Sequence, residues 1–525
     1  MAENKGRAKA KGGMYGRILN SIEKIGNRLP HPIALFALFS GLVVVLSAVF
    51  AALGISATGE LVSNGELQET TVSVVSLLTK EGITYMLTHA VSNFTNYAPL
   101  GMTLAAMLGV GVAERSGLIN VLLKSTVKIT PSKFITPMVV FLGVMSNVAN
   151  DAGYVILIPL GAMIFRAYGR HPMAGLAAAF AGVSGGFSAN LLVGALDALL
   201  AGITQTAVTM IDPNYQVAVM GNYFFLATST FLVTILGTWV TDKIVEPRLA
   251  AFSGKVIGEE DMSLTTITPK ERRGMRNAII VAFLYVAMIV LVCLPQNSLF
   301  RNENGGLLGR PTSPLINSAV VLITLLFLLP GITYGLTTGE FKGDKDVCNA
   351  MAKSMGSMGS FLALAFVSAQ FINYFNYTQI GTIVALAGAN FFREINIGLI
   401  PLLVIFVLFS SFMNLFLGSA SAKWNILAPV FVPMFMLLGY SPELCQLAYR
   451  IGDSCTNVVT PMMTYYAVIL VFAQKYDKNA GVGTMTAIML PYSAVFLIGW
   501  LVLLIIWLLL ELPIGVGTGI YYMLG

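Results

Sequence analysis

Charge is what this chain of 525 residues has least of. Only 11% of its residues are Asp, Glu, Lys or Arg, against about 25% in a soluble domain. That scarcity excludes a soluble globular protein. It also excludes disorder, which needs low hydrophobicity and high charge. Cysteine occurs four times and histidine three times. Cys293, Cys348, Cys445 and Cys455 have neither disulfide nor metal spacing and read as small apolar packers. Three scattered histidines make no zinc site, so no metal or cofactor is expected. There is no P-loop and no His-Glu-x-x-His, which removes ATP-driven pumping and metalloprotease chemistry. The net charge of +6 is small for this length and gives no support for nucleic-acid binding. What remains is apolar. Hydrophobic residues make up 56% and mean hydropathy is +0.78, the signature of an all-α polytopic membrane protein with the lipid bilayer as its solvent. The 51 glycines suit close helix packing and helix breaks in a membrane.

The few charges set the topology. Residues 1–31 carry Lys5, Arg7, Lys9, Lys11, Arg17, Lys24 and Arg28 against Glu3 and Glu23, which places the N-terminus in the cytoplasm. The uncharged run from Pro32 past Leu53 spans a bilayer and is too long for a cleavable signal. An acidic outer loop (Glu60, Glu66, Glu69, Glu81) precedes a span over 82–113 and a basic inner loop. Phe134–Phe165 is then apolar except for Asp151 and is flanked on both sides by basic residues. A run that begins and ends on one side is a re-entrant hairpin. Its middle, Ser146-Asn147-Val148-Ala149-Asn150-Asp151-Ala152-Gly153, favours turns, and irregular backbone at that depth survives only beside protein or a cavity. Spans follow at 171–200, 222–241, 278–294, 314–338 and 355–392, the last too long for one straight helix. Ile395–Pro442 holds one charge, Lys423, within Gly418-Ser419-Ala420-Ser421-Ala422-Lys423-Trp424, and reads as a second hairpin. A span at 444–472 and one ending at Leu510 give nine spans and two hairpins.

A shift of 270 positions sets Pro159 over Pro429, Phe165 over Phe435, Gly169 over Gly439, Pro172 over Pro442, Gly182 over Gly452 and Ser184 over Ser454. Just upstream a shift of 280 sets Asn93-Phe94-Thr95-Asn96-Tyr97 over Asn373-Tyr374-Phe375-Asn376-Tyr377. The first copy starts outside and the second inside, so the repeat is inverted. Four parts are expected: a cytoplasmic segment 1–31, a first repeat 32–241 (spans 1–4 and hairpin 1), a loop and connector span 242–300, and a second repeat 301–525 (spans 6–9 and hairpin 2). Inverted repeats with broken helices are the architecture of secondary transporters, with the site at the midplane.

Several motifs stand in a specific order. They run from Gly26-Asn27-Arg28-Leu29-Pro30-His31-Pro32 through Gly169-Arg170-His171-Pro172, Val245-Glu246-Pro247-Arg248 and Gly418-Ser419-Ala420-Ser421-Ala422-Lys423-Trp424. They continue through Tyr449-Arg450-Ile451-Gly452-Asp453-Ser454 to Gly481-Val482-Gly483-Thr484. In these the chain resembles the aminobenzoyl-glutamate transporter (AbgT) family over nearly its whole length. The resemblance implies a homodimer of nine-span subunits in the bacterial inner membrane. It implies secondary active transport of p-aminobenzoyl-glutamate and related folate-breakdown products and, for some relatives, proton-driven export of sulfonamide antimetabolites. The family's functional positions fall here on Asp197, Ser421, Trp424, Pro442, Arg450, Asp453 and Pro461. Where this chain has Lys423 the family often has Gln or Ile.

A charge at the midplane costs about 2.5–3.5 kcal/mol or more, so such residues face a cavity or a partner. Arg450 and Asp453 are three apart and share a helix face. They form either an internal ion pair or a site in which Arg450 forks onto a substrate carboxylate and Asp453 carries the coupling proton. Asp197 and Asp151 are further proton-carrier candidates. Asp151, with Asn147, is also a cation-ligand candidate, which leaves sodium as the alternative coupling ion. Ser419 and Ser421 are expected to donate to an anionic substrate and Trp424 to stack on its ring. Asn190 and Asn457 lie in the two helix breaks, where open helix N-termini favour anions, and Pro461 explains the second break. Lys423 reads as a snorkelling or hairpin-tip cation. A sodium-coupled dicarboxylate carrier is the rival within transporters. An intramembrane hydrolase lacks its paired nucleophile and base.

Overall fold

A computed structural model describes residues 30–522 except 31, 64–65, 130, 150–152, 250–266, 304, 308–312, 464 and 479. The cytoplasmic N-terminal segment and Asp151 therefore lie outside the described residues. Among those described, seven helices are long and apolar enough to cross a membrane, and a bent pair makes an eighth. One of the seven, Ala420–Leu437, is a limb of the second hairpin. The other six are Pro32–Ala52, Lys80–Arg115, Tyr223–Arg248, Pro269–Cys293, Ala319–Thr338 and Val482–Leu509. The bent pair, Asp344–Ser357 with Gly359–Tyr377, turns by 46°. It carries on into Ile380–Glu394 after Gln379, whose φ is +61°. Two more spans are assembled from short pieces, Pro172–Phe180 with Ala195–Val208 and Pro442–Asn457 with Tyr466–Gln474. Adding these two to the six long helices and the bent pair gives nine candidate spans among the described residues.

Both expected hairpins are present, each built of two antiparallel helical limbs. In the first, Ile135–Ser146 runs up and Ile158–Ala167 runs back. Gly153 lies against Ser146 near the tip, and Gly161 lies against Val139 near the base. In the second, Leu399–Asn414 and Ala420–Leu437 meet through Phe409 and Phe431, whose rings are 5.6 Å apart. Val139 and Gly161 shifted by 270 are Phe409 and Phe431, so the same positions touch in both hairpins.

Other details recur under that shift. Each hairpin ends in a turn closed by a left-handed glycine, Gly169 (φ +72°) and Gly439 (φ +85°). In each the same long-range closure forms, Arg170 N–H to the Phe165 carbonyl at 2.8 Å and Tyr440 N–H to the Phe435 carbonyl at 2.9 Å. This is the six-to-one bond of a Schellman cap, which puts a residue with no Cβ penalty at the left-handed position. The following helix begins in both copies at a proline, Pro172 and Pro442, where the missing N–H costs nothing. That helix then crosses its hairpin by backbone contact. A Cβ on Gly182 would strike the carbonyl of Val140, and a Cβ on Gly452 would strike the side chain of Ser410. Val140 shifted by 270 is Ser410.

The two copies are anchored differently at their bases. Arg170 holds the first. It donates to Glu246 through Nε at 3.0 Å, to Asp242 through Nη2 at 2.7 Å and to Thr136 through Nη1 at 2.6 Å. Its guanidinium also lies 4.1 Å over the Phe165 ring. The second is held by the C-terminal segment, where Ser441 N–H donates to the Ile520 carbonyl and Tyr522 N–H to the Gly439 carbonyl, each at 2.9 Å.

The all-α membrane fold carries one small addition. Ser56–Ser63 and Glu66–Ser73 form a two-stranded antiparallel hairpin in the outer loop, pairing Ser56 with Ser73. The alternation of Thr and Val beside polar residues in 67–75 has the period of a strand, a signal hidden when the loop is read for charge alone.

Candidate functional site

The two broken spans meet at their breaks. Ser184 in the first donates to the Met463 sulfur in the second at 3.0 Å, and the backbone N–H of Ser188 donates to Ser454 Oγ at 3.1 Å. The first break begins where the helix widens to a π-turn over Ala181–Gly185, and Gly185-Gly186 then lets it unwind. The second falls between Asn457 and Tyr466, where Pro461 cannot donate to a helical ladder. All sixteen residues of Pro442–Asn457 are buried, although the helix carries Glu443, Arg450 and Asp453.

A cavity of about 300 Å³ lies where these breaks meet the hairpin tips. The first tip contributes Asn147, and Tyr154 follows it. The second tip contributes Gly418, Ser419, Ala420 and Ser421. The first broken span adds Phe187, Leu196 and Leu199, the second adds Asn457, Met463 and Tyr465, and Thr103 comes from helix Ala98–Arg115. Tyr154 and Tyr465 stack with centroids 4.8 Å apart and planes at 9°. The described lining is thus apolar and aromatic with a few hydroxyl and amide groups, and carries no formal charge. Ser419 caps helix Ala420–Leu437, accepting from Ala422 N–H at 3.4 Å, so the positive end of an eighteen-residue helix opens on the cavity.

The charged candidates lie behind this lining, in two pairs. Arg450 Nη1 and Asp197 Oδ1 are 2.7 Å apart, an ion pair between the two repeats. Asp197 Oδ2 also accepts from Gly194 N–H at 2.7 Å and so caps the helix after the first break. The ammonium of Lys423 bonds Asp453 Oδ1 and Asn414 Oδ1. Asn414 Nδ2 reaches the Asp453 carbonyl at 2.7 Å, Asn457 Oδ1 at 2.7 Å and Thr456 Oγ1 at 2.9 Å. Asn457 Nδ2 returns to Asp453 Oδ2 at 3.3 Å. This network joins the second tip to the second break.

Four expectations change. Arg450 and Asp453 are not each other's partners, because each finds an opposite charge on another element. Lys423 does not snorkel, since its side chain has no exposed surface and its cation is neutralised internally. Trp424 does not reach the cavity. It is fully buried, stacks on Tyr449 at 4.5 Å and 21°, and donates to Thr204 Oγ1 at 2.9 Å. Asn190 turns onto Leu192 N–H at 3.1 Å beside a smaller pocket shared with Asp197. Pro442 sits at the base of the second hairpin, away from its tip, and Pro461 in the break itself. Of the expected residues, Ser419, Ser421, Asn457 and Asn147 line the cavity.

Sequence reasoning passed over Thr103, Tyr154, Tyr465, Asn414 and Glu443. Glu443 is a buried carboxylate at the base of the second hairpin, accepting from Tyr215 OH at 2.7 Å. Asn414, the amide that ends the apolar helix Leu399–Asn414 nine residues before Lys423, was a legible signal. Thr103 had none. Among the described residues, no three His, Cys, Asp or Glu side chains gather in a group able to hold a metal ion.

The sequence pattern of the AbgT putative transporter family matches residues 17–522. The p-aminobenzoyl-glutamate transport protein of Escherichia coli (strain K12) is 39% identical over 502 residues, covering 96% of both chains. The crystal structure of the Alcanivorax borkumensis YdaH transporter, described as having an unusual topology, aligns with a TM-score of 0.85 at 44% identity, over 93% of this chain and all of that one. Neisseria gonorrhoeae MtrF, described as illuminating a class of antimetabolite efflux pumps, aligns with a TM-score of 0.90 at 47% identity, over 96% of this chain and all of that one.

Proposed function

The chain belongs to the AbgT transporter family, and on that premise we propose that it carries p-aminobenzoyl-glutamate and related folate-breakdown products by secondary active transport. The observation that carries this reading is the cavity at the crossing of two hairpin tips and two helix breaks. Its chemistry suits such a molecule. Stacked tyrosines and phenylalanine suit an aromatic ring. The Ser419 and Ser421 hydroxyls, at a helix N-terminus, suit carboxylates. Asn457 ties this lining to Asp453, and Asp197 and Arg450 lie behind it. We assign proton coupling to the two carboxylates, Asp453 and Asp197, because each is held in a pair whose neutrality a proton would alter. On this reading the protein acts in the bacterial inner membrane as a homodimer, as its family likeness suggests, and the basic residues of 1–31 support a cytoplasmic N-terminus.

The test is uptake of radiolabelled p-aminobenzoyl-glutamate into proteoliposomes under an imposed proton gradient. Uptake that collapses with a protonophore and persists when choline replaces sodium at fixed pH is expected. Absence of gradient-dependent flux for every aminobenzoyl compound would overturn the reading. The likeness to MtrF favours a second use of the same site, export of sulfonamide antimetabolites. Cells carrying the protein should then accumulate less sulfonamide, and Asp453→Ala should abolish the difference.

A further inference from the structure

Two buried oxygens on the first-hairpin side of the cavity lack hydrogen-bond partners, Thr103 Oγ1 and Asn147 Oδ1. Both residues line the cavity and both are more than nine-tenths buried. They come from elements that pack together, since the tip Asn147–Ala149 rests against helix Ala98–Arg115. The Asn147 oxygen is not unpaired through loose geometry. The Asn147 amide is locked by its nitrogen, which donates to the Val144 carbonyl at 3.1 Å and the Gly186 carbonyl at 3.2 Å. Both partners are pure acceptors, so the amide cannot be flipped and its oxygen is an acceptor in need of a donor. Thr103 is the exception to its neighbours' habit. Thr204, Thr206 and Thr230 satisfy their hydroxyls on the carbonyl four residues back, whereas Thr103 does not. Buried polar atoms are nearly always paired, and an orphan in a cavity points to what the cavity holds.

The two ends of the cavity differ in polarity. The second tip offers donors, namely serine hydroxyls and the positive end of a helix. The first tip offers a fixed acceptor, Asn147 Oδ1, and helix Ala98–Arg115 a hydroxyl, Thr103 Oγ1, that accepts as well as donates. We propose that Thr103 and Asn147 form an arylamine subsite that accepts the two N–H groups of a primary aromatic amine, while the carboxylates of the same molecule lie at the second hairpin tip. The inference rests on the aminobenzoyl reading above and adds an orientation and a specificity to it. The amide oxygen of Asn147 and a lone pair of the Thr103 hydroxyl match two N–H donors. A secondary amine, as in a folate still carrying its pterin on that nitrogen, offers one N–H and added bulk, so the subsite selects the released arylamine over its N-substituted parent. A sulfonamide with a free arylamine presents the same group.

The experiment is competition against labelled p-aminobenzoyl-glutamate uptake in proteoliposomes. The competitors are unlabelled p-aminobenzoyl-glutamate, benzoyl-glutamate (no amine) and the N-methylamino analogue (one N–H). A site built around a hydrogen-bonding group rejects an analogue lacking it strongly, so in the wild type benzoyl-glutamate should compete at least about ten-fold less well. Thr103→Val, nearly isosteric, should shrink that ratio to about three-fold or less by weakening the amine-bearing compound alone. Thr103→Ser should preserve it. A wild type that does not distinguish the analogues overturns the proposal, as does Thr103→Val lowering all of them with the ratio intact. Should Thr103→Val fail to assemble, Thr103→Ala and the wild-type ratio decide it. Labelled uptake with no amine discrimination sinks the orientation alone, whereas absence of all uptake sinks it together with the transport reading.

Discussion

At the residue scale, the most consequential group is Lys423 with Asp453. Their pair is buried without exposed surface on the lysine. Such a pair is weak support for stability as a whole, because desolvation offsets its attraction. Breaking one half is another matter, since the charge left behind has no water and no counter-ion. Lys423→Met is therefore expected to destabilise the protein by about 3–5 kcal/mol, read as a fall in the unfolding temperature of the detergent-solubilised protein. Asp453→Asn should fall likewise. The double variant should recover much of the loss, because it leaves two neutral side chains; additive losses would contradict the pairing. The same experiment separates stability from mechanism. If Asp453 carries the proton, the double variant is stable yet transports nothing against a gradient.

At the scale of elements, helix propensity and packing give opposite signs. Gly452 lies inside Pro442–Asn457, where alanine is favoured by about 1 kcal/mol on propensity alone. A Cβ there meets the Val407 carbonyl and Ser410, and backbone does not give way as a side-chain tip does. Gly452→Ala and its repeat mate Gly182→Ala are each expected to destabilise by about 1–3 kcal/mol. Gly356→Ala, in a helix with open space at that position, should be neutral or stabilising. Thermal unfolding of the three purified variants checks the order. These elements were largely legible beforehand. Basic flanks on both sides of 134–165 announced a hairpin, and the Pro and Gly punctuation announced the repeat. The partners of the charges were not. Arg450 and Asp453 stand three apart on one helix, and spacing says only that they share a face. Which opposite charge each meets depends on Asp197 and Lys423, brought in by the first broken span and the second hairpin. Trp424 misled for a related reason: a tryptophan next to a hairpin tip is close to the cavity in sequence, but one step around the helix turns its ring toward Tyr449. Thr103 was invisible because its meaning lies in a bond it does not make.

At the scale of the whole molecule, the repeat and the chemistry are assigned to different sets of residues. Glycine contacts, caps and helix starts recur under the 270-residue shift, whereas Lys423, Arg450 and Asp453 all belong to the second copy, and Gly153, Phe180 and Val183 occupy their mates' positions. The scaffold is symmetric and its loading is not. One pair, Asp197 with Arg450, crosses between copies; the other is internal to the second. Both pairs are closed, and among the described residues the four ionisable groups at the breaks sum to zero. That neutrality has an electrical consequence. Moving one elementary charge through the membrane potential involves about 2.3 kcal/mol per 100 mV, but a unit whose charges cancel crosses the field without electrical work. These two pairs therefore add nothing to the gating charge of the empty carrier. Voltage dependence of flux, measured by clamping proteoliposomes with potassium and valinomycin, then owes nothing to them and reports the charges on the passengers. A dianion travelling with two protons should ignore the clamp, and one travelling with three should be drawn toward the negative side.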